Sequence, residues 1–118
     1  MENLAPAITR QRLLIEGYFT IAVDEDVIIR YFRDLCSKLS LRMYGAPIVF
    51  APAGEGRRDN QGYDAFAPLI DSGISVYIWS APRFLSVIVF TCKSFDASNA
   101  IEMTREFFAM DRLAHRDF

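Results

Sequence analysis

The stretch Ile74–Thr91, with the sequence ISVYIWSAPRFLSVIVFT, decides the fold of this chain. Its two runs, Ile74–Trp79 and Phe84–Thr91, are rich in β-branched and aromatic residues. Between them stand the four residues Ser80–Arg83, which include a proline. Two runs of this composition, separated by so short a connection, are typical of a β-hairpin. The stretch therefore predicts two strong antiparallel strands.

Two helices and four further strands surround this hairpin in the sequence. Asp24 and Asp96 each precede apolar residues at helical spacing, which predicts one helix from about residue 27 to Ser40 and a second after Asp96. The remaining apolar runs predict strands at Arg12–Phe19, Leu41–Pro52, Tyr63–Ile70 and Arg112–Phe118, the third limited by Pro68. The order is then β-α-β-β-β-β-α-β, an α+β two-layer sandwich with a mainly antiparallel sheet and two helices on one face.

Size and composition indicate one globular domain over residues 1–118, with residues 1–10 as a loose N-terminal arm. The chain has 118 residues, of which 52% are hydrophobic, and a net charge of −2 with mixed signs. That balance gives no sign of nucleic-acid or membrane binding, and we expect a cytoplasmic protein. The sheet face without helices also carries apolar residues, which predicts a homodimer formed through that face.

One cysteine, Cys92, and one acidic residue, Glu16, stand out as candidates for chemistry. Cys92 follows an apolar strand and precedes Lys93, a placement that suits a reactive thiol or a small buried side chain. Cys36 lies on the apolar side of the first helix and is expected in the core; two cysteines alone indicate neither a disulfide framework nor a metal site. Glu16 interrupts an apolar strand, so it either has a partner or faces solvent. Read locally, Asp71–Gly73 is only a turn.

Two weaker signals favour ordinary surface roles. Gly54, Gly56, Arg57 and Arg58 could cradle an anion, but their loop does not join a strong strand to a helix, so a surface loop is expected. His115, the only histidine, is expected at an exposed strand end and not as a catalytic base or metal ligand.

Taken together, the motifs from Asp71 to Phe108 resemble the prokaryotic S-adenosylmethionine decarboxylase family. The family pattern E-S-H-(I/L)-(S/T)-I-H-T-W-P-E corresponds to DSGISVYIWSA at Asp71–Ala81, and its F-T-C-G to FTCK at Phe90–Lys93. A helix beginning DASNAIE at Asp96–Glu102 follows, and RLLIEGY at Arg12–Tyr18 is similar to the family's first strand. The resemblance implies a sandwich whose sheets stack in a dimer, and a lyase that serves spermidine biosynthesis.

The resemblance also implies a role for each matching residue. In the family, the serine at the position of Ser72 attacks the carbonyl of the preceding residue, here Asp71, and is converted into an N-terminal pyruvoyl cofactor. That group acts as the electron sink for decarboxylation. Cys92 matches the cysteine that returns a proton to the product. Trp79 and Glu16 match residues of the active-site strand and of strand 1, which implies that they bind substrate.

Several positions depart from the family pattern, and most concern self-processing. Tyr77 stands where the family has the histidine that handles the proton of the serine Cα, and a phenol is a weaker base than an imidazole. Asp71 replaces a glutamate, Gly73 replaces a histidine, and Asp64 occupies the register of a serine that supports cleavage. The Trp-Pro-Glu corner is here Trp79–Ala81.

Three functions stay open at this point. The first is a decarboxylase of S-adenosylmethionine, or of another amino acid such as arginine or ornithine, with a pyruvoyl group made from Ser72. The second is an unprocessed homologue that binds S-adenosylmethionine or a related ligand, as a regulatory subunit or for other chemistry. The third is a non-catalytic dimeric scaffold.

Overall fold

The hairpin predicted from Ile74–Thr91 lies in the middle of a six-stranded antiparallel sheet. The computed structural model describes residues 1–52 and 57–118, so Gly54 and Gly56 of the anion-cradle hypothesis lie outside the described residues. The helices and strands are β1 (Gln11–Tyr18), α1 (Glu25–Leu39), β2 (Ile48–Phe50), β3 (Gly62–Leu69), β4 (Ser72–Trp79), β5 (Phe84–Thr91), α2 (Ala97–Phe107) and β6 (Arg112–Asp117). A short 3₁₀ turn, Arg58–Asn60, precedes β3.

The spatial order of the strands is β2-β3-β4-β5-β1-β6, and each neighbouring pair is antiparallel. The predicted β-α-β-β-β-β-α-β order and the α+β sandwich class are confirmed. The hairpin turn at Ser80–Arg83 is also confirmed, since Trp79 pairs with Phe84 on either side of it. No helix in the described ranges is long and apolar enough to span a membrane.

Both helices begin at the aspartates that the sequence indicates. The Asp24 side chain accepts a hydrogen bond from Val27 N at 2.9 Å, and the Asp96 side chain accepts one from Asn99 N at 3.0 Å. Each bond satisfies a backbone N–H that has no partner within its helix. At the other end of α1, Ser40 takes a left-handed conformation with φ of 55° and closes the helix.

The core lies between the helices and one face of the sheet. Alternate strand residues point toward the helices, and these side chains are almost fully buried: Leu13, Ile15, Ile74, Val76, Val87 and Val89. On the helix side, Tyr31 and Phe32 of α1 are completely buried. The Tyr31 hydroxyl lies 2.7 Å from Thr104 Oγ1 and so joins α1 to α2.

The intervening strand residues form the second face of the sheet, which no described helix covers; we call it the open face. Phe50 and Phe66 on this face are 64% and 42% exposed. Other large apolar side chains exposed there are Tyr18, Ile48, Tyr77 and Phe90. The open face therefore combines an apolar character with exposure to solvent.

Three local predictions need correction. The second strand covers only Ile48–Phe50, not Leu41–Pro52, because the preceding chain meets β3 only at an isolated bridge and Pro47 has no N–H for a ladder. Pro68 does not limit β3, which continues to Leu69. The Pro68 carbonyl accepts a hydrogen bond from Tyr44 N, on the side away from β4. In a strand the N–H of a residue points to the same side as its carbonyl, so the N–H that Pro68 lacks removes no bond from the β3–β4 pairing.

The third correction concerns the corner in front of β4. The turn consists of Ile70 and Asp71, and not of Asp71–Gly73, because Ser72 already pairs with Leu69 and Gly73 pairs with Pro68. Asp71 takes a left-handed conformation with φ of 52°, which an aspartate tolerates better than most residues. Ser72 is therefore the first residue of a strand, held by its pairing.

Candidate active site

Ser72 and Cys92 meet at one end of the β4–β5 hairpin. Cys92 N donates a hydrogen bond to Ser72 Oγ at 2.9 Å. The Cys92 thiol donates to the carbonyl oxygen of Ile70 at 3.5 Å. One bond reaches the residue before Asp71 and the other reaches the residue after it. Cys92 therefore holds the turn that contains the Asp71–Ser72 peptide bond from both sides.

A second local bond fixes the position of Cys92. Thr91, the last residue of β5, is fully buried, and its Oγ1 donates to the carbonyl oxygen of Lys93 at 2.5 Å. A threonine bond of this kind turns the backbone directly after the strand. Cys92 therefore lies at a bend, with its N–H and thiol directed toward the neighbouring turn.

A pocket of about 240 Å³ opens over this pair. Its lining consists of Leu41, Arg42, Leu69, Ile70, Ser72, Cys92 and Lys93. The residues come from β3, β4, the end of β5 and the segment after α1. Lys93 Nζ donates to the carbonyl oxygen of Ser40 at 3.0 Å, which ties the bend after β5 to the end of α1. Packing of α1 on the sheet thus completes the pocket wall.

The other predicted site residues form a separate group on the open face. Asp64 pairs with Tyr77, Tyr77 pairs with Ser86, and Ser86 pairs with Glu16, so the four make one row across β3, β4, β5 and β1. Ser86 Oγ donates to Glu16 Oε2 at 2.5 Å. The sequence left two possibilities for Glu16, a partner or exposure to solvent, and the structure shows a partner, Ser86.

Trp79 also lies on the open face, two residues beyond Tyr77. Its ring packs against Phe84, with the ring centroids 5.7 Å apart, and Tyr18 packs against the same phenylalanine at 5.3 Å. Arg112 lies over the Tyr18 ring, with its guanidinium carbon 5.8 Å from the ring centroid. These residues form an aromatic row at the end of the sheet opposite Ser72.

Within the chain, the structure therefore brings together Asp71, Ser72 and Cys92 but keeps Tyr77 apart from them. Ser72 and Tyr77 are five residues apart on one strand, a distance of about 16 Å, and their side chains point to opposite faces. Tyr77 cannot reach the Ser72 hydroxyl of its own chain.

Sequence reasoning missed two residues that bear on these sites, Ser86 and Arg42. Ser86 could have been found, because the four-residue hairpin turn places it opposite Tyr77. Arg42 reaches the pocket only through the packing of α1, which no local pattern encodes, whereas Lys93 is the sequence neighbour of Cys92. His115 is exposed on β6, away from the pocket, in accord with the sequence prediction.

Of the two thiols, only Cys92 is placed to act on a ligand. Cys36 is 4% exposed in the core, and burial raises its pKa to about 11. That side chain stays a neutral thiol near neutral pH and is a poor nucleophile. Cys92, by contrast, lines the pocket and is partly exposed.

The pocket offers an oxygen nucleophile, a proton donor and two cations, but no base for the serine. Among the described residues, the only hydrogen-bond partner of Ser72 Oγ is Cys92 N–H. That donor stabilises negative charge on the oxygen but cannot remove its proton. The arrangement suits addition of Ser72 Oγ to the adjacent carbonyl only if a base comes from elsewhere.

Comparisons with known proteins agree with this architecture. The sequence model of the S-adenosylmethionine decarboxylase family matches residues 12–118. The crystal structure of the adenosylmethionine decarboxylase from Aquifex aeolicus VF5 superposes with a TM-score of 0.69 at 17% identity, over 94% of this chain and 89% of that one. At that identity the superposition establishes the fold alone. No curated protein matches the chain.

Proposed function

Because the chain belongs to the S-adenosylmethionine decarboxylase family, we propose that it decarboxylates S-adenosylmethionine, or a related amino acid, as a step in polyamine biosynthesis such as that of spermidine. One observation carries the proposal: Ser72 Oγ and Cys92 N lie 2.9 Å apart at the floor of one pocket. The two residues that the chemistry most requires are thus neighbours in the folded chain.

The surroundings of Ser72 fit a pyruvoyl group made from that residue. Ser72 is half-buried and lines the pocket. The Cys92 N–H that donates to Ser72 Oγ would stabilise negative charge on this oxygen when it leaves with Asp71 in the cleavage step. A pyruvoyl group supplies an electron sink for the loss of carbon dioxide. The group would replace Ser72 and stay covalently bound to Gly73, Cys92 would line the same pocket, and the aliphatic wall of Leu41, Leu69 and Ile70 would limit access of water.

In this proposal Cys92 is the residue that delivers a proton after decarboxylation. Its thiol proton is held by the Ile70 carbonyl in the protomer and faces the same pocket as Ser72. The substrate-binding roles of Glu16 and Trp79 stay predictions, as do the processing roles of Asp64 and Tyr77. In a single protomer all four lie on the open face.

The lack of a base beside Ser72 among the described residues favours a second candidate, an unprocessed homologue that binds S-adenosylmethionine or a related ligand. Cleavage needs a base for the Ser72 hydroxyl, and among the described residues none is within hydrogen-bond distance of it. The intact chain would then keep the pocket and lack the electron sink. A regulatory subunit or an enzyme with different chemistry fits that state.

Intact-protein mass spectrometry separates the two candidates. The uncleaved chain has a mass of 13.5 kDa. The decarboxylase proposal expects two fragments, 1–71 and 72–118, the second with a blocked N-terminus, and expects Ser72→Ala to stay intact. Cys92→Ala should still cleave but lose decarboxylation. If the native protein stays uncleaved after prolonged incubation with S-adenosylmethionine, the decarboxylase proposal is wrong.

We also propose that the protein is a homodimer whose open faces stack. The support is the set of exposed apolar side chains there, among them Phe50, Phe66 and Phe90. In sedimentation equilibrium, Phe66→Asp should give a monomer that keeps its circular dichroism spectrum. Leu4→Asp, which changes an exposed apolar residue before the first strand, serves as the control. A native protein that sediments as a monomer would exclude this assembly.

A cytoplasmic location completes the proposal. Both cysteines of the chain are free. Free thiols are the usual state of cysteines in the reducing cytoplasm, whereas disulfides form and persist in oxidising compartments. Fractionation of cells that express a tagged chain tests the location, and recovery outside the cytoplasm would contradict it.

A further inference from the structure

The charged rim of the Ser72–Cys92 pocket has no role in the chemistry described so far. Arg42 and Lys93 both line the pocket, on the side where the segment after α1 meets the end of β5. None of the described lining residues is acidic. The pocket therefore combines an aliphatic wall with two positive charges close to the candidate nucleophile.

Both cations keep hydrogen-bonding capacity for a ligand. Lys93 has three N–H donors and uses one of them on the Ser40 carbonyl. Arg42 is exposed and makes no side-chain hydrogen bond or ion pair with the side chains that the structure describes. The Ser40 bond also fixes the direction of the Lys93 side chain, so less freedom is lost when a ligand binds.

The size of the pocket limits what these charges can hold. A volume of about 240 Å³ lies below the usual range for whole drug-sized ligands, roughly 300 to 1,000 Å³. One protomer thus accommodates the amino-acid end of a ligand and leaves a bulky remainder outside. A carboxylate is the group at that end that two cations recognise best.

We propose that Arg42 and Lys93 bind the α-carboxylate of an amino acid whose side chain or larger remainder extends out of the pocket. The inference deepens the proposed function and rests on it for the choice of ligand, since the amino-acid end of S-adenosylmethionine is a methionine. Arg42 and Lys93 are then specificity residues for a carboxylate, next to Ser72 and Cys92.

This anchoring has a consequence for catalysis. Two cations that hold the carboxylate stabilise the bound ground state, and such binding opposes its loss as carbon dioxide. In a cleaved, active enzyme, Lys93→Gln should therefore raise KM while kcat stays equal or increases. In an uncleaved protein the same pair simply favours a ligand that keeps its carboxylate.

A matched pair of ligands tests the carboxylate directly. L-methionine and L-methioninamide differ only at that group, and both can be titrated into the ¹⁵N-labelled full-length protein while the amide signals of Cys92 and Lys93 are followed. We expect methionine to bind at least about tenfold more tightly. The Arg42→Gln/Lys93→Gln double variant should bind the two ligands equally, and Arg33→Gln, which removes one exposed charge on α1, should keep the preference.

Equal affinity of the native protein for the two ligands would overturn the inference, and so would a preference that survives in the double variant or an absence of binding. Intact mass from the same samples keeps this result separate from the decarboxylase proposal. Uncleaved protein that prefers methionine supports the carboxylate site and ends the decarboxylase proposal. Cleaved protein without that preference supports the decarboxylase proposal and overturns the carboxylate site.

Discussion

Thr104→Val should destabilise the protein more than Tyr31→Phe, although each substitution removes one side of the same hydrogen bond. The Thr104 hydroxyl has one proton, which it donates to the Ala100 carbonyl at 2.7 Å. The Tyr31 hydroxyl must therefore be the donor in its 2.7 Å bond to Thr104. Both side chains are completely buried between α1 and α2, so water cannot replace a lost partner.

The expected magnitudes follow from what each variant leaves behind. Tyr31→Phe removes the donor, and the Thr104 hydroxyl that remains still bonds to the Ala100 carbonyl. This variant should therefore lower the free energy of unfolding by about 1 kcal/mol. Thr104→Val leaves the Tyr31 O–H buried without an acceptor, which costs about 2 to 3 kcal/mol. In the double variant both polar groups are gone, and its free energy of unfolding should fall by about 1 kcal/mol less than the sum of the single changes.

Urea unfolding at equilibrium, followed by far-ultraviolet circular dichroism, measures all four corners of this cycle. Thr104→Ser keeps the hydroxyl and is the control for the change of shape. The reasoning is refuted if Thr104→Val costs no more than Tyr31→Phe, or if the two changes add within about 0.4 kcal/mol.

Three further predictions concern the helix end, the thiols and the open face. Ser40→Gly should raise the free energy of unfolding by up to about 1 kcal/mol because φ is 55° there, and Ser40→Ala should not; equal effects in urea unfolding would contradict this. Iodoacetamide at pH 8 should modify Cys92 before Cys36 in peptide mass maps. Burial raises the Cys36 pKa from 9.0 to about 11. The contribution of the buried neutral thiol to the stability of the fold is therefore complete below pH 9 and is lost as the pH rises through 11. Tyr77→His should not accelerate cleavage at Ser72 within a protomer, because the two side chains point to opposite faces; a faster cleavage rate that is independent of protein concentration would refute that geometry.

Local signals in the sequence predicted the secondary structure well where they agreed with one another. The capping aspartates Asp24 and Asp96 and the turn at Ser80–Arg83 are in the predicted places. Prediction failed at the second strand and at Pro68, where the outcome depends on which neighbour a backbone group meets. Pro68 sits inside β3 because its missing N–H faces away from β4.

Part of the site geometry was also contained in the sequence. The four-residue turn puts Trp79 opposite Phe84, so counting back along β4 and forward along β5 brings Ser72 opposite Thr91 and next to Cys92. The alternation of strand side chains places Tyr77 on the face opposite Ser72. A family pattern read as a linear string hides this separation, since it compares positions and not directions.

The sequence by itself determined the order of the elements, the start of each helix and the approach of Ser72 to Cys92, because caps, periodicity and a short hairpin act between residues close in the chain. Only the tertiary structure decided that β1 lies between β5 and β6, which puts Glu16 beside Ser86, and that Arg42 reaches the Ser72–Cys92 pocket. Those contacts join distant segments. They depend on how the helices pack on the sheet to bury its apolar face, and no local pattern records that choice.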